Sequence, residues 1–146
     1  YELDETFAVA LNSPATGWTL GSPAIATVTI KDNGDRNLAF TGATAQVSEG
    51  AGTVTLMVRR LGSTSASASV RYATSNGTAR SSSDYRSKSG TLTWAAGDAN
   101  PKAITISIVN NTTRESTETF YVSLSSPSGA TLGSPNKTTV SILDND

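Results

Sequence analysis

Glu49, Asp84, Glu115, Glu118, Asp144 and Asp146 are the residues of this sequence whose type and spacing suit chemistry. All six are hard oxygen donors, and no softer ligand competes with them, because the chain has no cysteine and no histidine. The absence of cysteine excludes a disulfide framework, thiolate zinc sites and thiol catalysis. The absence of histidine excludes a Ser-His-Asp triad and imidazole metal sites. Carboxylates gathered without partners repel and raise one another's pKa. A hard divalent cation reverses that cost. Ca²⁺ accepts 6–8 oxygens in flexible geometry, whereas Mg²⁺ keeps its waters and demands an octahedron. Calcium is therefore the expected cofactor if these acids converge. The basic residues Arg80, Arg86, Lys88 and Arg114 sit in or beside the same segments and offer a metal-free way to balance the charge.

Whether the acids converge depends on the elements that carry them. Period-2 alternation marks strands around Val54, Leu56 and Val58, and around Val70 and Tyr72. It recurs at Leu92 and Trp94, at Ile104, Ile106 and Ile108, at Phe120, Val122 and Leu124, and at Val140 and Ile142. A first, broken strand covers 38–40 and 45–48. Turn residues separate these runs, and no long helical period occurs. The expected fold is all-β, an immunoglobulin-like antiparallel sandwich of seven strands, Greek-key in type. In such a sandwich the connections alternate between two poles. Glu49 lies in the first connection, Asp84 in the third, Glu115 and Glu118 in the fifth, and Asp144 and Asp146 end the last strand. These six share one pole, and Asp98, in the fourth connection, lies at the other.

The sequence also repeats itself. Aligning 2–33 with 115–145 gives 19 identities in 31 pairs, including Glu5, Thr6 and Phe7 against Glu118, Thr119 and Phe120. The offset, about 112 residues, is too long for a solenoid, so each unit should be its own domain. Residues 1–35 read as the last two strands of a preceding module, and 36–146 as one complete module. The hairpin of 1–35 has no core of its own. It is expected to pack on its own chain, in a permuted arrangement, or on a neighbour as a strand-swapped dimer. Its acids Glu2, Glu5, Asp32 and Asp35 are weaker ligand candidates.

The strings Val47-Ser48-Glu49-Gly50-Ala51-Gly52, Tyr72-Ala73-Thr74-Ser75-Asn76-Gly77-Thr78-Ala79, Asp84-Tyr85 and Gly90-Thr91-Leu92-Thr93-Trp94 resemble the Calx-beta module. So do Glu115-Ser116-Thr117-Glu118-Thr119-Phe120 and Val140-Ser141-Ile142-Leu143-Asp144-Asn145-Asp146. The resemblance covers the whole of 36–146, and 1–35 resembles the final third of a second copy. It implies calcium ligation by the six acids named above. It also implies one of two settings, a calcium sensor of sodium–calcium exchangers or an extracellular repeat of surface, adhesion and matrix proteins. Sensor modules carry acids where this sequence has Asn110 and Asn111, and Asn145 likewise replaces an acid. Asparagine can still lend a carbonyl oxygen, but each exchange removes a charge and weakens binding. Those exchanges and the Ser/Thr-rich, cysteine-free composition favour an extracellular or cell-surface setting, of bacterial origin, over the exchanger.

Other motifs carry less. Asp32-Asn33-Gly34-Asp35 lacks the spacing and distal Glu of an EF-hand. Sequons at Asn76, Asn110, Asn111 and Asn136 are expected by chance in a Ser/Thr-rich chain. Trp18 and Trp94 could stack on sugar rings, although the phase of Trp94 with Leu92 assigns it to the core. Paired carboxylates without cleft-forming insertions do not suggest a glycosidase, and no enzymatic activity is expected. The net charge of -1 argues against a nucleic-acid partner. No apolar run is long enough to span a membrane. Partners are expected to be neighbouring repeats and a protein or carbohydrate ligand. The leading function is a calcium-binding adhesive repeat, and the alternative is a metal-free interaction or carbohydrate-binding spacer.

Overall fold

The computed structural model describes residues 5–30 and 36–146, which fall into two units, 1–35 and 36–146. In the first unit, β1 (Glu5–Ala10) pairs antiparallel with β2 (Ile25–Ile30), Phe7 opposite Val28. All residues of both strands are exposed.

The second unit has two sheets. One contains β3 (Asn37–Phe40), β5 (Thr53–Leu61), β8 (Lys102–Ser107) and the short β10 (Thr131–Leu132), in the order β10-β3-β5-β8. The other contains β4 (Thr44–Ser48), β6 (Ala68–Asn76), β7 (Ser89–Trp94), β9 (Glu118–Ser128) and β11 (Lys137–Leu143), in the order β4-β11-β9-β6-β7. Alternation does what period 2 demands. Val54, Leu56 and Val58 of β5 and Ile104 and Ile106 of β8 point inward from one sheet. Val70, Tyr72, Phe120, Val122, Val140 and Ile142 meet them from the other in one core. The described residues contain no helix long and apolar enough to cross a membrane.

The structure has nine strands in this unit where the sequence suggested seven, for two reasons. The first strand divides at Thr41-Gly42-Ala43 and changes sheet. Its upper half, β3, is antiparallel to β5, and its lower half, β4, is parallel to β11. The buried hydroxyl of Thr138 holds the crossing by donating to the Gly42 carbonyl at 2.7 Å. The other addition is β10, two residues that lie parallel to β3.

Candidate metal centre

Three strand ends and three connections bring the carboxylates together. The parallel register of β4 and β11 sets Ser48 opposite Leu143, so Glu49 and Asp144 leave their strands side by side. Glu49 then starts a single 3-10 turn, Glu49–Ala51, closed by Gly52 at φ 75°. Glu118 opens β9 opposite Ile142 of β11. Asp84 sits in the β6–β7 connection. Its carbonyl accepts the Val109 amide at 3.0 Å, and its neighbour Tyr85 stacks on Phe120 with ring centroids 4.2 Å apart. The Tyr85 hydroxyl donates to Asn76 at 2.7 Å. The loop carrying Asp84 is thus anchored to the core through an aromatic side chain 1% exposed.

The six acids form two triads. Glu49, Asp144 and Asp146 make one, and Asp84, Glu115 and Glu118 the other. Within each, one oxygen per residue lies within 4.8 Å of the others. Two oxygens bound to one Ca²⁺ at 2.3–2.6 Å can be at most about 5.2 Å apart, so each triad has the span of a shared ion. A small cleft joins the triads. Glu49, Asp84, Glu115, Glu118 and Asp144 line it, with Ser116 and Ile142.

The electrostatics are unbalanced. Glu49 is 3% exposed and Asp84 7%. Among the described residues the only ion pair joins Lys102 to Asp98, at the opposite pole. The metal-free route to neutrality therefore finds no ion pair here. Lys88 donates instead to the Thr105 carbonyl, and Arg86 to that of Ser82. Glu118 registers the consequence. Burial, the adjacent Asp84 and the charge of Glu115 push its carboxyl up to about 7, with Arg80 opposing.

Main-chain amides supply part of what a cation would. Asp84 accepts the Arg80 amide at 2.6 Å, and Asp144 accepts that of Glu115 at 3.0 Å. Asn111 gives Glu49 both its main-chain and side-chain N–H, at 2.9 and 2.7 Å. This corrects the expectation that Asn111 lends a carbonyl oxygen. Its Oδ1 faces away and accepts the Thr113 amide at 2.6 Å, which fixes the amide orientation. No sequence signal distinguishes the two orientations. Asn110 is exposed. Glu5 is exposed in β1, and Glu2, Asp32 and Asp35 lie outside the described residues. Trp94 is 1% exposed and donates its indole N–H to the Asn100 carbonyl at 2.8 Å, so it offers no sugar platform.

The fold and the site define an all-β sandwich module with an acidic pole. The Calx-beta domain model matches the chain twice, over residues 1–34 and 35–146. The chain belongs to the Calx-beta family. Among relatives, the sodium/calcium exchanger Calx of Drosophila melanogaster is 32% identical over 128 residues, 87% of this chain and 13% of the exchanger. Human FRAS1-related extracellular matrix protein 2 is 34% identical over 146 residues, 92% of this chain and 5% of that protein. The apo-form Calx CBD1 domain superposes with a TM-score of 0.74 at 32% identity, covering 77% of this chain and 99% of that domain. The chain thus spans a small fraction of the full-length relatives it matches.

Proposed function

We propose that residues 36–146 are a calcium-binding repeat of a larger extracellular or cell-surface protein, acting as a structural and adhesive module stiffened by the ion. Counting β3 and β4 as one strand and β10 as part of a connection, the module is the seven-stranded immunoglobulin-like sandwich of Greek-key type. The reading rests on six carboxylates that converge in two triads, two of them buried, with no ion pair to any of them among the described residues. Residues 1–35 are the closing strand pair of a preceding module.

The donor set fits calcium. It is all oxygen, its span matches one ion per triad, and burial together with the neighbouring Asp84 and Glu115 already raises the Glu118 carboxyl. Glu49, Asp144 and Asp146 would hold one ion, and Asp84, Glu115 and Glu118 another. Bound calcium supplies charge neutralisation. It ties three connections to the end of β11, which otherwise meet through a few amide bonds. The main-chain amides of Arg80, Asn111 and Glu115 hold Asp84, Glu49 and Asp144 in place without it.

The likeness to extracellular matrix proteins supports the extracellular setting. The likeness to exchangers supports a second reading, a regulatory calcium sensor within a larger membrane protein. Asn111, a donor to Glu49 rather than a further acid, favours the first. The relatives named above are animal proteins and lend no support to a bacterial source. The module has no proposed catalytic role.

Calorimetric titration of calcium into chelator-treated protein tests the reading. Binding heat that Asp84→Asn reduces and Asp98→Asn leaves intact is expected. An absence of heat, or heat indifferent to Asp84, would refute it.

A further inference from the structure

Residues 80–84, in the connection from β6 to β7, form a turn closed on itself. The Asp84 amide donates to the Arg80 carbonyl at 3.0 Å, and the Arg80 amide donates to the Asp84 carboxylate at 2.6 Å. These bonds fix the carboxylate within its own turn but not against Glu118, which leaves from β9. The segment before the turn is pinned to β9. A side chain at Gly77 would overlap the Thr119 carbonyl, which also accepts the Ala79 amide at 2.9 Å. The Thr119 amide in return donates to the Thr78 hydroxyl at 2.8 Å. The turn itself is held by Asn76, the last residue of β6, which pairs with Phe120 of β9. The side-chain oxygen of Asn76 accepts the Ser81 amide at 3.0 Å and the Tyr85 hydroxyl at 2.7 Å. One acceptor thus joins both sides of the turn to the strand pair from which Glu118 starts. Asn76 is exposed, so water would satisfy its carboxamide, and the two bonds serve the loop rather than Asn76.

We propose that Asn76 is a positioning residue of the Asp84, Glu115 and Glu118 triad, holding the turn of Asp84 at the spacing from Glu118 that one shared cation needs. This rests on the calcium binding proposed above. Groups that orient metal ligands govern about tenfold to a hundredfold of metal affinity. The other triad draws its supporting bonds from elsewhere, Glu49 from Asn111 and Asp144 from the Glu115 amide. Asn76 should therefore act on one ion and not on the other.

Calcium titration and amide exchange on the chain 1–146 and its variants test this. Asp84→Asn identifies the binding step that belongs to the triad of Asp84. Asn76→Ala should weaken that step about tenfold or more and leave the other step unchanged. Asn76→Asp, which keeps an acceptor oxygen for Ser81 and Tyr85, should restore it. In chelator, Asn76→Ala should speed exchange of the Arg80 and Ser81 amides about tenfold, with β9 and β11 still protected. Tyr85→Phe separates positioning from the mere satisfaction of a buried hydroxyl. Asn76→Ala added to Tyr85→Phe should weaken the step further, through the lost bond to Ser81. Equal weakening of both steps, an Asp substitution that restores nothing, or no added loss in the Tyr85→Phe background would overturn the proposal. A parent chain that takes up no calcium would remove the calcium reading, and exchange in chelator would then decide alone. Arg80 and Ser81 amides as slow in Asn76→Ala as in the parent would show that Asn76 does not hold Asp84.

Discussion

Asn111 donates two hydrogen bonds to one oxygen of Glu49, from its main-chain N–H at 2.9 Å and its side-chain amide at 2.7 Å. Glu49 is 3% exposed, so a buried carboxylate is satisfied by a neutral neighbour. Asn111→Asp keeps the main-chain bond, removes the side-chain donor and adds a like charge. The ion-free variant should lose about 1–3 kcal/mol of stability, the cost of leaving a buried group without its partner. Its calcium affinity should rise, because a ligand charge is added. Denaturant melts with chelator and with calcium check both signs. A variant less stable in both conditions by the same amount would separate Asn111 from the ion site.

Glu118 gives the ion-free protein a pH dependence. Its carboxyl is raised from 4.5 to about 7 by burial, with Asp84 and Glu115 adding to the effect. Between those values the folded state holds a proton that the unfolded state has released. Stability from this group is therefore present below about pH 4.5 and is lost as pH rises toward 7. Under the proposed binding, calcium should reverse the slope, since a cation binds the ionised carboxylate and displaces its proton. Urea unfolding in chelator at pH 5 and pH 8 should show the decline, and Glu118→Gln should flatten it.

Position at the pole should decide calcium affinity. Glu118 is fixed by β9, two residues before the buried Phe120. Asp98 is bound to Lys102 at 2.6 Å and to the Asn100 amide at 2.9 Å, at the opposite pole. Glu118→Ala should weaken calcium binding about tenfold or more, and Asp98→Ala should leave it unchanged. Equal losses from the two would mean that the ion does not sit among the acids of the cleft.

Phe7 and Phe120 are the same residue of two copies in different surroundings. Phe120 stacks on Tyr85 and is fully buried, so Phe120→Ala should cost about 3–5 kcal/mol. Phe7 is half exposed, and Phe7→Ala should leave the melting of 1–146 within about 0.5 kcal/mol. Comparable losses would mean that Phe7 is covered.

Much of this was legible in the sequence because its signals are local. Alternation located Val54, Leu56 and Val58 on β5, and the break between Phe40 and Ala45 located the divided first strand. The six acids could be assigned to one pole because successive connections of a sandwich alternate between its ends. Which sheet each half of the first strand joins was not legible, since Thr138 and Gly42, 96 residues apart, settle it. Nor was β10, two residues that pair only because β3 lies beside them. The role of Asn111 was hidden for a similar reason. An asparagine can donate or accept, and its orientation here depends on the Thr113 amide and the Glu49 carboxylate together.

On the proposed function, the acidic pole binds calcium and the fold gains stability by it. Thermal melting of 1–146 with millimolar calcium against the same protein in chelator tests it most directly. An ion that binds only the folded state adds RT ln(1 + [L]/Kd), about 2.7 kcal/mol at a hundredfold excess over Kd. Kd should lie on the order of 10⁻⁵–10⁻³ M, as for extracellular modules of reduced ligand charge. A melting temperature that rises with calcium and reverts with chelator is the predicted result. An unchanged melting temperature across that concentration range would contradict the account.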